Sequence, residues 1–292
     1  MKKIIISLLA VMLICTQALA DELHIGTLTY LGTTEAEFQN GLDSFRTKTV
    51  SADDEFIKQL KENRHIIKFY DSLMALLMNL KSGKLDEIML PETTAIYLVN
   101  NNKIHEVKFT TKILSSKISF GFREDNTALK KEFDDVIDSM RADGTLEALE
   151  KKYITDYSNK TRYDSIIPDT FENAEVIKVA VTGDMPPVDM FAGDGRPAGY
   201  NTAVLAEIGR RLKKNIVLVN TDSAGRSAAL SSGKADVVFW YRSSQSEIQG
   251  DDAFDDLFDD VPEGVILSVP YFDWKCENVL IMKAKSSFLG LF

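Results

Sequence analysis

Cysteine is nearly missing from this 292-residue chain, which has only Cys15 and Cys276. Cys15 lies inside an apolar leader, so one thiol is left once that leader is removed, and an internal disulfide framework is excluded. Histidine is as scarce: His24, His65 and His105 stand at no metal-ligand spacing. No Ser-His-Asp or Cys-His set emerges either, and Cys276 beside Trp274 reads as structural. Basic residues are outnumbered, 34 Lys and Arg against 44 Asp and Glu, for a formal charge of −10. A surface of that sign excludes nucleic acid as a partner. Long apolar runs are missing outside Ile4–Cys15, which is too short to span a bilayer. A phosphate-cradling loop is missing too, since the two "SGK" triplets lack the glycine spacing and the following Ser or Thr that such a loop needs.

The leader "MKKIIISLLAVMLICTQALA" has two lysines, an apolar stretch and a small-x-small ending at Ala18 and Ala20. It reads as a secretory signal cleaved before Asp21, which places the mature protein in the periplasm or outside the cell. Beyond it, strand-like and helix-like patterns alternate. "LHIGTLTY" is a strand, and Gly32, Thr33 and Thr34 can open a helix at Glu35. Strand "HIIKF", a helix from Asp71, strand "DEIML" and a helix from about Thr93 follow. "KISFGFR" is the next strand, then Leu129, Phe133, Val136, Ile137 and Met140 recur at helical spacing until "ADGT" breaks the pattern and a helix restarts at Thr145.

Between Thr155 and Glu175 the periodicity fails and the segment reads as a linker. Strand "VIKVAV" then opens a second unit: a turn-rich "TGDMPPVDMFAGDGRPAG", a helix carrying Val204, Leu205, Ile208 and Leu212, and strand "NIVLV". One phrase occurs twice, "LKSGKLDEI" at Leu80–Ile88 and "LSSGKADVV" at Leu230–Val238. In each copy a helix ends, a Gly supplies the left-handed residue that closes it, and an Asp opens a strand. Two such copies predict two α/β units. The run "DDAFDDLFDDVPEG" does not fit a calcium loop; Phe254, Leu257, Phe258 and Val261 describe a short amphipathic helix with a solvated acidic face.

"IKVAVTGDMPPVDMFAGDGRPAGYNTAVLAEIGRRLKKNIVLV", "AALSSGKADVV" and "SVPYF" resemble the first lobe of the extracellular solute-binding proteins of the polar amino-acid type, family 3. "ISFGFREDNTALKKEFDDVIDSMRADGTLEALEKKYI" resembles that family's closing segment, and "IGTLTYLGTTEAEF" with "LKSGKLDEIMLPETTAIYL" its second lobe. The resemblance implies the type II periplasmic-binding-protein-like fold: two α/β lobes with mostly parallel sheets and helices on both faces. The segments stand in an unusual order, with the family's ending ahead of its beginning, as in a circular permutation. The units expected are a signal peptide at 1–20, a lobe-2-like domain at 21–117, a crossover strand and closing helices of lobe 1 at 118–154, a linker at 155–175 and a lobe-1-like domain at 176–292. "KISFGFR" and "VIKVAV" should then share a sheet.

The resemblance implies a small amino-acid-like or organic-acid ligand held between the lobes without a cofactor, a monomer, and an ABC transporter permease or a membrane receptor as partner. Thr33 and Thr34 at a helix start suit an anion. The family's amine-binding acid falls at Pro91, with Glu92 beside it, and "YRSSQSEIQG" replaces the usual arginine landmark, offering Arg242 and Ser243. Trp240, Tyr241, Tyr30, Asp184, Met185 and Phe191 complete the expected wall. Two rival readings use the same scaffold: a module that binds another exported protein, and an enzyme resembling cyclohexadienyl dehydratases, for which Glu92 and Asp184 are the acids at hand. The binding protein is preferred and no catalytic residue is assigned.

Overall fold

In a computed structural model, the protein is described at residues 23–28, 65–101, 108–109, 115–156, 163–222, 225–244, 261, 263–274 and 279–283. The expected signal peptide, the Glu35 helix and the helix of the acidic run lie outside the described residues. In chain order the elements are β1 (Leu23–Leu28), β2 (His65–Tyr70), α1 (Leu73–Lys81), β3 (Glu87–Pro91), α2 (Glu92–Asn100), β4 (Lys108–Phe109) and β5 (Ser115–Arg123). Then come α3 (Thr127–Ala142), α4 (Thr145–Glu150) with a wide helical turn at Lys151–Thr155, β6 (Val176–Val181), β7 (Met190–Phe191) and β8 (Pro197–Ala198). The chain continues through α5 (Gly199–Leu212), β9 (Asn215–Asn220), α6 (Arg226–Ser231), β10 (Val237–Ser244), β11 (Val265–Leu267), β12 (Phe272–Trp274) and β13 (Val279–Lys283).

The repeated phrase folds into two copies of one device. Gly83 and Gly233 take φ of 73° and 72°, the left-handed region open to glycine, and each amide returns to the carbonyl three residues back, Leu80 or Leu230, at 3.1 Å. Leu85 and Ala235 then plunge into the cores at 1% and 0% exposure. Asp86 donates its N–H to the His24 carbonyl at 2.9 Å and accepts the His24 N–H on Oδ2 at 2.8 Å. Asp236 does the same with Lys178, at 2.8 and 2.9 Å. Each aspartate thus clips a helix-to-strand turn onto β1 or β6, the middle strand of three parallel ones.

Both sheets are built around that clip. One runs β2-β1-β3-β13-β4 and the other β11-β5-β10-β6-β9, with β12 also on β5. In each, three parallel strands (β2-β1-β3, β9-β6-β10) are flanked by a long antiparallel strand, β13 or β5. The sheets are therefore mixed, where mostly parallel pairing was expected. The antiparallel strand of each sheet comes from a distant part of the chain and runs against the parallel trio. β5 and β6 do share a sheet, with β10 between them. β5 begins at Ser115, and β13 joins β3 in the first sheet.

The larger core lies under the second sheet. Phe133 of α3 meets Phe120 and Phe122 of β5 edge-on at 5.2 and 5.1 Å, and Tyr271 stacks on Phe120 at 4.3 Å. Tyr200 donates its hydroxyl to the Tyr271 carbonyl, and Tyr271 donates to Asn201 Oδ1 at 2.8 Å. Burial raises the Tyr200 pKa, so the hydroxyl stays protonated and remains a donor. Residues 163–175, expected as part of a linker, are tied to this core, with Ile166 N–H on the Pro197 carbonyl and Phe171 exchanging two hydrogen bonds with the Asn215 side chain.

Candidate functional site

The carboxyl end of β6 gathers buried polar groups. Parallel strands leave open peptide ends there, the usual place for a ligand crevice in α/β sheets. Thr182 donates its N–H and Oγ1–H to Asp189 Oδ2 at 3.0 and 2.8 Å, and Arg226 reaches Thr182 Oγ1 at 3.3 Å. Arg226, Asp189, Thr182 and Asp184 are all 7% exposed or less. A turn holding the cis Pro186–Pro187 peptide follows, pinned by Met185 and Asp189 exchanging backbone hydrogen bonds at 2.9 Å.

Asp184 joins this end to the other sheet. Its Oδ1 accepts the N–H of Leu73, the first residue of α1, at 2.9 Å, in a buried hydrogen bond between residues 111 positions apart. Ser72 caps the same helix locally, its Oγ accepting the Ala75 N–H at 3.2 Å. A helix start has unpaired amides and a partial positive charge, so a carboxylate from outside the helix is a favourable second cap.

Beside this junction a cleft of about 620 Å³ is lined by Tyr97 of α2, Tyr163, Asp164 and Ser165 of the linker, and Met190 to Asp194 of the β7–β8 hairpin. Tyr97 and Tyr163 pack ring on ring at 5.1 Å, inclined by 50°. Phe191 lies against Gly183, where an added Cβ would come within 2.3 Å of the phenyl ring; only glycine lets the aromatic approach so closely. Ser165 donates to Asp194 Oδ2 at 2.9 Å, and the Arg196 N–H donates to Oδ1 at 3.0 Å. These donors, the Arg196 amide first, hold the Asp194 carboxyl below the usual carboxylate range. Burial pushes the Tyr97 hydroxyl up, so it is neutral at physiological pH.

The structure brings Asp184, Met185 and Phe191 together at this end of the second sheet, with Met185 fully buried and Phe191 on the cleft wall. Tyr30, Thr33 and Thr34 lie outside the described residues. Glu92 is the first residue of α2, after Pro91 closes β3 opposite Val279. Trp240, Tyr241, Arg242 and Ser243 all lie within β10, with Arg242 opposite Lys117 of β5. The sequence reading missed Tyr97, Tyr163, Asp189 and Arg226. For Arg226 there was a signal, a charge at the first helical position of "GRSAALSSG" where the period asks for an apolar residue. Among the described residues no group of three His, Cys, Asp or Glu side chains is placed to hold a metal ion, and no helix is long and apolar enough to cross a membrane.

Residues 177–247, from β6 through β10, match the model of the bacterial extracellular solute-binding proteins, family 3. Among curated proteins none matches the sequence. Solved structures similar to this chain include the zinc-bound ligand-binding component of an ABC-type import system from Staphylococcus aureus, at 10% identity and a TM-score of 0.40, covering 90% of this chain and 66% of that one. An ancestral arginine-binding protein bound to arginine aligns at 14% identity and a TM-score of 0.39, covering 91% and 86%. The substrate-binding protein of an amino acid ABC transporter aligns at 12% and 0.38, covering 90% and 86%.

Proposed function

We propose that this is an exported binding protein that captures a small polar, amino-acid-like or organic-acid solute between two lobes and presents it to an ABC permease or a membrane receptor. The family-3 match over 177–247 carries the reading. The geometry supports it: the carboxyl end of β6 in one sheet meets the start of α1 from the other, with an aromatic cleft alongside. Two facing lobes with a ligand crevice between them close like a hinge, and closure is what a transporter or receptor can sense. The order of segments, with β5 and β13 each in the sheet of the distant half, is read as a circular permutation of the family's chain. Export follows from the leader, and the protein works as a monomer. A thermal-shift screen of amino acids, organic acids, organic cations and oligopeptides tests the reading, because a solute that prefers the folded state raises the melting temperature. A rise with one solute class is the expected result, and no rise with any class refutes it. One observation favours a second reading: Asp184 joins the lobes through the chain's own carboxylate. A module that closes this way without solute and binds another exported protein would give that flat screen.

A further inference from the structure

Within the solute-binding reading, on which this step rests, we infer that the cleft takes an organic cation, an amine or quaternary ammonium group set among Tyr97, Tyr163 and Phe191 beside Asp164 and Asp194.

Two independent observations lead there. The first is the lining. Among the described residues it includes three aromatic rings and two carboxylates, and neither Lys nor Arg. Aromatic faces attract a cation within about 6 Å of the ring centre through their quadrupole, and exclude an anion by the same field. Asp194 stays ionised because its two oxygens already accept from Ser165 and the Arg196 amide. Arg196, in the same hairpin turn, is the basic residue to weigh against it, and its guanidinium favours the ionised Asp194. The formal charge of −10 adds a long-range field of the same sign.

The second observation concerns the seat an anion would use. The start of α1 is where a solute carboxylate would find free amides at the lobe junction. Asp184 already fills it, 7% exposed and 2.9 Å from the Leu73 nitrogen. A solute carboxylate brought to that junction would be placed beside the buried Asp184 charge, and like charges at close range disfavour one another. A solute cation meets no such obstacle. Among the described residues, the same cleft thus accepts positive charge and lacks an open seat for negative charge.

Calorimetry on the full chain tests this with defined probes: choline, putrescine and arginine as cations, 3,3-dimethylbutanol as the neutral isostere of choline, and glutamate and succinate as anions. At least one cation should bind. If it is choline, the neutral isostere should bind at least tenfold more weakly. Phe191→Leu keeps an apolar side chain and loses the π face, and should weaken the cation by about tenfold, as expected for a partly desolvated cation–π contact. Asp194→Asn should weaken it severalfold, with the effect fading in high salt. Cation binding that both variants leave unchanged overturns the inference, because the site is then elsewhere. Glutamate, succinate or the neutral alcohol binding while every cation fails also overturns it, yet leaves the solute-binding reading standing. Silence from all probes and from the wider thermal screen removes the solute-binding reading itself.

Discussion

Replacing Asp184 with alanine removes a buried polar tie between the carboxyl end of β6 and the start of α1. The Leu73 N–H loses its acceptor in a buried setting. A hydrogen bond to a charged group contributes about 1.5–3 kcal/mol, and most of that is lost if the donor is left without a partner. Water entering as the junction loosens offsets part of the cost, so a loss of about 2 kcal/mol is expected. With a urea slope of about 1–3 kcal/mol per molar, the denaturation midpoint should fall by roughly 1 M. The radius of gyration from small-angle scattering should rise in the same variant as the lobes part. Asp184→Asn keeps an oxygen acceptor and loses the charge that complements the helix start, so it should lie between wild type and alanine. Ser72→Ala is the control. It removes the local cap on Ala75, costs about 1 kcal/mol, and should leave the radius unchanged because that bond lies within α1's own first turn. An Asp184→Ala protein with the wild-type midpoint and radius, or a Ser72→Ala protein that opens equally, refutes the argument.

Phe133→Ala should cost about 3–5 kcal/mol by urea denaturation, since Phe133 is fully buried and its ring meets both Phe120 and Phe122 edge-on. Glu207 accepts from Arg210 and Arg211, and these hydrogen bonds, Arg210's first, hold its pKa below the ordinary 4.5. Its folded value is depressed, so its contribution is present above about pH 4.5 and is lost as the pH falls through the folded value. Glu207→Gln should therefore flatten the decline of the urea midpoint below pH 4.5 and leave the slope near neutrality untouched.

The helix-Gly-strand device was legible in the sequence because everything it needs is local or periodic. Gly83 and Gly233 are fixed by a backbone angle that other residues reach only with strain, and Asp86 and Asp236 follow at one spacing in both copies. The α3 core face was legible for the same reason: Leu129, Phe133, Val136, Ile137 and Met140 recur with the helical period, and all five are buried. The pairing of β13 with β3 was not legible as a local pattern. β13 lies against β3, Val279 opposite Pro91, through backbone strand pairing, which is blind to side-chain type and is decided by which strand edge is open. The site divides along the same line. Asp184 and Phe191 announce themselves in a turn between two periodic segments, but nothing near Asp184 says that its partner is an amide 111 positions earlier. Arg226, read by residue type, belongs in water; only the packing of α6 against the end of β6 encloses it, at 2% exposure, where it reaches Thr182. Sequence alone determined the local turns and the faces that had to be covered. Tertiary structure decided which distant groups covered them, because burial and charge pairing depend on neighbours that only the folded chain supplies.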